Sequence, residues 1–299
     1  MPERAEKLAI VIVEYNSPED TVNCLDTIEE YLGADVRLYI YDNSRQKYRA
    51  LEEKLEDLSV PYEYVWNEGN LGFATACNQG LTKAREDGFD YAMLLNNDTL
   101  LVDDGPLAAL DILERYPDVG VLGLVNYYAH DPDTVWQSGK RLRKSKLGFV
   151  PVPVTSADEI TYCDYVPGSS FIVRLSLLDT VGLLDEAYFA YYEEIDYCFK
   201  VRSSGMQVAF VNDSKILHKV GASSDSAFKT YLKSRNKLYF YRTIMPSLFS
   251  YFVVVSLLLT KDVLIGLLRD RSLQNIKYTY LGVKDFIGGN MNLTRFAGT

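Results

Sequence analysis

Three carboxylates, Glu193, Glu194 and Asp196, are crowded into an aromatic stretch between residues 188 and 205. Burying charged groups among aromatic side chains costs free energy unless the charge has a use. Like charges this close raise the pKa of at least one carboxyl group, which makes it a proton acceptor. The segment therefore predicts a proton-handling part of an active site. The alternative is structural, because acidic residues also favour the first turn of a helix, here one beginning near Tyr192.

Asp98 is a second candidate, since it follows a short apolar run at 91–95 that is typical of a buried strand. A carboxylate there can bind a divalent metal, manganese or magnesium, and the metal in turn neutralises a diphosphate. His218, one of only two histidines, is a candidate second ligand because neutral imidazole also binds such ions. A partly buried structural histidine is the alternative for His218.

Alternating strand and helix patterns position these residues. Apolar runs rich in β-branched residues predict strands at 8–13, 36–41, 62–66, 91–95 and 119–125. Helical spacing and end signals predict helices at 18–32, 48–58, 73–86 and 106–116, the first with Ser17 as N-cap. This alternation predicts an α/β fold with a doubly wound sheet, whose ligands lie at the carboxyl ends of the strands. Polar residues follow four of the strands, at 14–16, 42–43, 67–70 and 96–98.

Composition narrows the function classes. The 299 residues are 47% hydrophobic, which is enough for a substantial core, and the net charge of −10 argues against a nucleic-acid binder. The four cysteines are widely spaced, so we expect reduced thiols in the cytoplasm. The charged N-terminus lacks signal-peptide architecture, so we expect no export.

The charge is unevenly divided along the chain. Residues 1–228 carry 20 basic and 38 acidic residues, a charge of −18, whereas residues 229–299 carry 11 and 3, a charge of +8. The tail also contains an apolar run at 247–260 that is too short to span a bilayer, followed by a second at 263–268. We expect an acidic domain, 1–228, and a C-terminal region of amphipathic or apolar helices, 229–299, that lies on an anionic membrane surface. A helical hairpin packed on the domain, or on another subunit of a homo-oligomer, is the alternative.

Residues 127–165 show a weaker pattern. They include a basic cluster at 140–146, interpreted as a solvated loop or as a contact for an anionic acceptor phosphate. The stretch 69–72 leads into the helix at 73, so its backbone N–H groups can approach a phosphate or a ribose. The chain contains neither the GxGxxG motif of dinucleotide dehydrogenases nor the P-loop of ATPases, which argues against both classes of enzyme.

The whole pattern resembles the family 2 inverting glycosyltransferases, and among them the rhamnosyltransferase-like members. The blocks that carry the resemblance occur in family order between residues 8 and about 240. They are Val-Ile-Val-Glu-Tyr-Asn at 11–16, Tyr-Asp-Asn-Ser at 41–44, Asn-Glu-Gly-Asn-Leu-Gly-Phe-Ala-Thr-Ala-Cys-Asn at 67–78, Leu-Leu-Asn-Asn-Asp-Thr at 94–99, Gly-Leu-Leu-Asp-Glu at 182–186, Tyr-Tyr-Glu-Glu-Ile-Asp-Tyr-Cys at 191–198 and the segment 218–223.

The resemblance implies a GT-A fold with a mixed sheet and a role for each matching residue. Asp98 would ligate the metal on the donor diphosphate with His218 as a further ligand, and Glu194 would be the base within the cluster of Glu193, Glu194 and Asp196. The residues that it places around the nucleotide are Tyr15 and Asp42 at the nucleobase, Asn70 and Gly72 in the pocket, and Asn96 on the ribose side.

Two positions depart from the family pattern: Asn96 stands where the family's first acidic metal-site residue occurs, and Glu194 stands where the base is usually Asp. The resemblance implies a dTDP- or UDP-sugar donor, with rhamnose as the candidate sugar, and a polyprenyl-diphosphate-linked glycan acceptor. The enzyme would act at the inner face of the cell membrane in the synthesis of cell-surface polysaccharide. The rival functions are a sugar nucleotidylyltransferase, which the segment 14–16 does not resemble, and a non-catalytic nucleotide-sugar-binding scaffold subunit.

Overall fold

The computed structural model describes residues 6–143, 148–220, 226–245, 247, 249, 251–257, 260 and 273–291. The strands are β1 Leu8–Glu14, β2 Val36–Asp42, β3 Tyr62–Trp66, β4 Tyr91–Asn96, β5 Thr99–Leu101, β6 Val119–Tyr128, β7 Asp131–Gln137, β8 Lys140–Arg143, β9 Gly148–Pro151, β10 Ile160–Cys163, β11 Ser170–Arg174 and β12 Gln207–His218. The helices are α1 Pro18–Tyr31, α2 Arg49–Asp57, α3 Phe73–Glu86, α4 Gly105–Arg115, α5 Leu177–Thr180, α6 Glu193–Ser203, α7 Ser226–Ile244 and α8 Leu273–Ile287.

A mixed sheet in the order β10-β12-β6-β11-β4-β1-β2-β3 forms the centre of the fold. Strands β3, β2, β1 and β4 are parallel, whereas β11 runs antiparallel between β4 and β6. In this register Glu14 lies opposite Asp42, and Val13 opposite Asn96. The polar residues that follow β1, β2 and β4 therefore meet at one edge of the sheet, as parallel pairing requires.

Helices cover both faces of this sheet. Along β1 the side chains alternate, since Leu8 and Ile10 pack with α1, α2 and α4 while Ala9 and Val11 pack with α3 and α6. A strand buried on both faces reads as a continuous apolar run, which explains why β1 was visible in the sequence. The expected doubly wound α/β sheet with flanking helices is confirmed.

The elements predicted up to residue 125 are all present, and most of their bounds differ from the predicted ones by a residue or two. The structure differs at the start of α1, where Ser17 occupies the N-cap position but its side chain caps no backbone N–H group. Residues 127–165 contain β7, β8, β9 and β10. The basic cluster is therefore not simply a loop, because Lys140–Arg143 pair with β9, and residues 144–147 lie outside the described part.

The C-terminal helices pack against the rest of the chain. Leu238 and Phe240 of α7 belong to the same core cluster as α3 and α6, and Tyr231 of α7 donates a hydrogen bond of 2.9 Å to Asp285 of α8. Part of the apolar run 247–268 lies outside the described residues. Of the helices that the structure does describe, none is both long enough and apolar enough to cross a bilayer.

Candidate active site

The loop after β1 is fastened to the loop after β4 by a buried carboxylate. Glu14 accepts hydrogen bonds from the backbone N–H of Ser17 at 2.6 Å, from the Asn97 amide at 2.9 Å and from the Thr21 hydroxyl. Burial raises the pKa of Glu14. This network positions Tyr15, one of the two residues expected at a nucleobase, beside the tips of the neighbouring strands.

Asp42, the other residue expected at the nucleobase, is fully buried at the end of β2. Its two oxygens accept hydrogen bonds of 2.8 Å from the Ser44 N–H and from the Tyr64 hydroxyl. The Trp66 ring N–H in turn donates to the Ser44 carbonyl at 2.8 Å. Asp42 thus positions two aromatic side chains, Tyr64 and Trp66, at the strand ends, and we call this pair the aromatic wall. The sequence analysis did not identify either residue.

The Gly-rich loop before α3 adopts a backbone that requires glycine at one position. Gly72 has a φ of +94°, and a Cβ built there would lie 2.6 Å from the Phe189 ring. The Asn70 side chain accepts the Gly72 N–H at 3.0 Å, and Asn43 donates to the Gly72 carbonyl at 3.1 Å. The Ala74 N–H then donates to the Phe189 carbonyl at 3.1 Å. The loop that contains Asn70 and Gly72 is therefore packed directly against the segment that precedes α6.

Asp98 and His218, which are 120 positions apart in the chain, lie side by side. Antiparallel pairing of β5 with β12 sets His218 opposite Thr99, and Asp98 Oδ1 lies 3.5 Å from His218 Nε2. Both side chains are buried, with 6% and 5% of their surface exposed. Burial raises the pKa of Asp98 and lowers the pKa of His218, so the imidazole is held in its neutral, metal-binding form.

This pair has the features of a partial metal site. Asp98 Oδ1 and His218 Nδ1 are buried atoms without a hydrogen-bond partner among the described residues. The Asn96 side chain hydrogen-bonds Asp98, and the Trp136 ring centroid lies 4.4 Å from that of His218. Within the described ranges no group of three or more His, Cys, Asp or Glu side chains converges. One oxygen and one nitrogen donor fit a divalent cation that takes its other ligands from a diphosphate and water.

The three carboxylates of the aromatic stretch lie in the first turn of α6. Asp196 forms an ion pair of 2.8 Å with Lys200. Glu193 is 4% exposed, and burial together with the neighbouring Glu194 raises its pKa well above the ordinary value. Glu194 is partly exposed, and burial raises its pKa against the opposing attraction of Lys233 and Lys140. Its Oε2 has no hydrogen-bond partner in the described part of the chain.

These differences separate the roles open to the three groups. Asp196 is committed to its ion pair, and Glu193 is enclosed and favours its protonated form. Glu194 is partly exposed, and its Oε2, like Glu193 Oε2 and Asp196 Oδ2, is a buried atom without a hydrogen-bond partner among the described residues. Its partial exposure makes Glu194 the best placed of the three to accept a proton from a bound hydroxyl. The helix-opening interpretation and the proton-handling interpretation are therefore compatible.

A strained loop presents Glu194, and α7 holds that loop in place. Phe189, Tyr191 and Tyr192 have φ values of 65°, 68° and 82°, which side chains other than glycine rarely adopt. The Asn236 amide donates hydrogen bonds to the carbonyls of residues 188, 190 and 191 at 2.9, 2.8 and 2.7 Å. Arg235, also buried, donates to the carbonyls of residues 187 and 188. Sequence reasoning counted Arg235 only as a tail charge and missed Asn236.

The segment 168–169 links Glu194 to the pair formed by Asp98 and His218. The Asn96 N–H donates to the Ser169 carbonyl at 2.9 Å, just before Asp98. On the neighbouring residue, a Cβ built at Gly168 would lie 3.2 Å from the Glu194 Cβ, so the Glu194 side chain packs on glycine backbone. The structure thus brings Glu194, Asn96 and Asp98 to one end of the sheet, with the Gly-rich loop alongside.

Comparison with known proteins identifies the class to which this geometry belongs. Residues 9–165 match the family model described as Glycosyl transferase family 2. The chain is 23% identical over 246 residues to the low-salt glycan biosynthesis hexosyltransferase Agl10 of Haloferax volcanii, covering 78% of this chain and 74% of Agl10. It is 26% identical over 193 residues to the N-acetylglucosaminyl-diphospho-decaprenol L-rhamnosyltransferase of Mycobacterium tuberculosis, covering 56% of this chain and 62% of that protein.

A solved structure shares the fold. The mannosyltransferase PcManGT of Pyrobaculum calidifontis, in complex with GDP-Man and Mn2+, superimposes with a TM-score of 0.60 at 12% identity, covering 96% of this chain and 88% of that one. The expected GT-A fold is therefore confirmed. On the evidence of the matched family model and the glycosyltransferase relatives, the chain belongs to the Glycosyl transferase family 2.

Proposed function

We propose that this glycosyltransferase is a metal-dependent inverting enzyme that transfers a sugar from a nucleoside diphosphate sugar to a hydroxyl of a lipid-linked glycan. The observation that carries the proposal is the placement of Glu194, a partly exposed carboxylate that packs on Gly168, while the next residue, Ser169, is hydrogen-bonded to Asn96 at the strand tip before Asp98. A proton acceptor on one side and a diphosphate-binding pair on the other are the two requirements of a single displacement at a sugar carbon.

In this proposal Glu194 takes the proton of the acceptor hydroxyl. As that proton leaves, the hydroxyl oxygen forms its bond to the anomeric carbon, and the bond from that carbon to the donor diphosphate breaks from the opposite face. The diphosphate departs with the electron pair, so no protein nucleophile is needed and the configuration inverts. General-base assistance of this kind contributes about 10²–10⁴-fold to rate.

Asp98 and His218 are the residues that would hold a manganese or magnesium ion. Such an ion, when bound, neutralises charge on the departing diphosphate. Asn96 supports Asp98 through its hydrogen bond and faces the ribose side of the donor in this proposal. Tyr15 and the wall held by Asp42 would enclose the nucleobase, and the backbone shaped by Asn70 and Gly72 would enclose the rest of the nucleotide.

The acceptor and the location of the enzyme are further parts of the proposal. The name of the Mycobacterium tuberculosis relative specifies a sugar diphospho-lipid, and that of the Haloferax relative specifies glycan biosynthesis. Exposed aromatic and aliphatic side chains between α7 and α8 and on α8, such as Phe249 at 79% and Phe252 at 62%, provide an apolar surface suited to an interfacial contact. We propose a domain 1–228 that acts at the inner face of the cell membrane, with 229–299 holding it there.

The donor part of the proposal is tested by thermal unfolding with UDP, dTDP and GDP, each with and without manganese. A nucleotide at about 100 times its dissociation constant adds roughly 2.7 kcal/mol to the folded state. We expect one nucleotide to raise the melting temperature only with metal, and Asp98→Asn to abolish that rise. Asp133→Asn, at a fully exposed position, is the matched control and keeps it. No rise with any nucleotide would instead favour a non-catalytic scaffold.

A further inference from the structure

Two lysines, Lys140 and Lys233, lie near Glu194, and two more lie near Lys233. Lys229, Lys233 and Lys237 follow one another at four-residue spacing, so they lie on one face of α7, and Lys140 comes from β8. Lys140 and Lys233 both act electrostatically on Glu194, and Lys233 is also within electrostatic range of the other three lysines. We call these four residues the lysine cluster.

Three members of the lysine cluster, Lys140, Lys229 and Lys233, lack an ion-pair partner among the described residues. The chain has 41 acidic residues against 31 basic ones, so carboxylates are not scarce. Two of these lysines instead contact an aromatic ring: the Nζ atoms of Lys229 and Lys233 lie 5.7 and 5.2 Å from the Tyr191 ring centroid. Rings orient an ammonium group and leave its N–H donors available.

Assembling these charges costs free energy. Burial lowers the pKa of Lys140 and of Lys233, and for Lys233 the repulsion from Lys229, Lys140 and Lys237 acts in the same direction. Lys233 is exposed to solvent. The attraction between Lys233 and Glu194 is opposed by the repulsion of three other lysines. An arrangement of this kind is stabilised when a multivalent anion enters it.

Two anionic groups take part in the proposed reaction, and their places differ. The donor diphosphate belongs to Asp98 and His218, and Lys229 lies at that end, since it acts electrostatically on His218. Lys140 and Lys233 instead face Glu194, where the acceptor hydroxyl must lie. An anion held there belongs to the acceptor.

We propose that Lys140 and Lys233 form the binding site for the diphosphate of the acceptor, beside the base. The inference rests on the proposed function and deepens it in one respect. Because Lys140 and Lys233 both lie near Glu194, the diphosphate and the attacked hydroxyl would lie beside the same carboxylate, which fits an acceptor whose accepting sugar is bonded directly to the diphosphate.

The test is calorimetric binding of farnesyl diphosphate, a water-soluble polyprenyl diphosphate, in the presence of manganese and the nucleotide that raises the melting temperature. We expect the double variant Lys140→Gln, Lys233→Gln to bind farnesyl diphosphate at least tenfold more weakly than the wild type and to keep the wild-type affinity for the nucleotide. Lys233→Arg, which keeps the charge, should retain most of the binding. Lys83→Gln, on the outer face of α3 and paired with Asp87, is the matched control and should change neither affinity.

Several results would overturn the inference. These are no binding of farnesyl diphosphate to the wild-type protein, equal binding to the double variant, and equal binding of farnesol, which would assign the affinity to the apolar chain. A parallel loss of nucleotide affinity would assign the two lysines to the donor. These outcomes are separate from failure of the proposed function, which appears as the absence of any metal-dependent nucleotide binding to the wild type.

Discussion

At the scale of single residues, the site depends on what burial does to neighbouring carboxylates. Glu193 and Glu194 are adjacent in the chain, yet one is enclosed and the other reaches solvent beside Lys140 and Lys233. Desolvation raises the pKa of both, and the lysines oppose that rise only for Glu194. One carboxylate thereby favours its protonated form, whereas its neighbour can cycle between charged and neutral forms.

This difference predicts how stability depends on pH. The pKa of Glu193 is ordinary, 4.5, in the unfolded chain and well above that value in the folded chain. Between these two values the folded state holds a proton that the unfolded state has lost, so stability falls as pH rises, by about 1.4 kcal/mol per pH unit for this group. Glu193→Gln, which mimics the protonated form, should remove this contribution.

The measurement is urea unfolding of the wild type and of Glu193→Gln at several pH values from 5 to 8. We expect the variant to gain stability relative to the wild type as pH rises. A difference between the two proteins that is constant across this range would mean that Glu193 is not held protonated by its surroundings.

At the scale of elements, α7 is part of the site because it fastens the loop that presents α6. The Asn236 amide contacts three carbonyls of a segment with three positive φ values. Without it, those carbonyls lose a buried partner and the loop loses the contacts that stabilise its strained backbone. Helix α7 therefore contributes both to the placement of Glu194 and to the lysine cluster.

We predict that Asn236→Ala lowers the free energy of unfolding by about 1–3 kcal/mol, the cost of leaving buried polar groups unsatisfied. Turnover should fall by more than that loss explains at temperatures where the variant stays folded, because Glu194 is no longer positioned, while nucleotide affinity is kept. Ser234→Ala is the control, since among the described residues the Ser234 hydroxyl hydrogen-bonds only the Thr230 carbonyl of its own helix. The measurements are urea denaturation and turnover of both variants. Equal effects of Asn236→Ala and Ser234→Ala would contradict the role of Asn236 in positioning Glu194.

The elements also show how far sequence reasoning reaches. Strands β1 to β4 and helices α1 to α4 could be predicted because each carries a periodic pattern of its own. Strands β7 to β10 could not, since they are short, partly exposed and lack such a pattern. The proximity of Asp98 and His218 depends on the pairing of β5 with β12, so the sequence offered His218 as a candidate ligand from its chemistry and from the family resemblance, but no pattern placed it beside Asp98. Asn236 was missed because its partners are backbone carbonyls 45–48 positions away.

At the scale of the whole molecule, the basic tail is divided between two tasks. Of the 11 basic residues in 229–299, three belong to the lysine cluster, and Arg235 is buried against the loop before α6. Of these four, Arg235 is fully buried and cannot face a membrane. In the proposed membrane contact we therefore expect the exposed apolar side chains near the C-terminus to contribute as well as the basic charge.

We predict that Phe249→Ser together with Phe252→Ser weakens binding to vesicles of phosphatidylglycerol and phosphatidylcholine by at least tenfold, because two exposed aromatic rings no longer enter the interface. Stability should change little, since both rings are largely exposed. Tyr31→Ser, at an exposed position on α1, is the control in the same cosedimentation assay. Unchanged vesicle binding in the double variant would leave contact with a second subunit as the use of this surface.

The most direct test of the central claim is turnover of Glu194→Gln. The substrates are a panel of nucleoside diphosphate sugars and N-acetylglucosaminyl-diphospho-farnesol, with the product detected by mass spectrometry and its anomeric configuration by NMR. The account predicts an inverted product from the wild type, a fall of about 10²–10⁴-fold in turnover for Glu194→Gln with unchanged nucleotide affinity, and a smaller effect of Glu193→Gln. Near wild-type turnover in Glu194→Gln would contradict it.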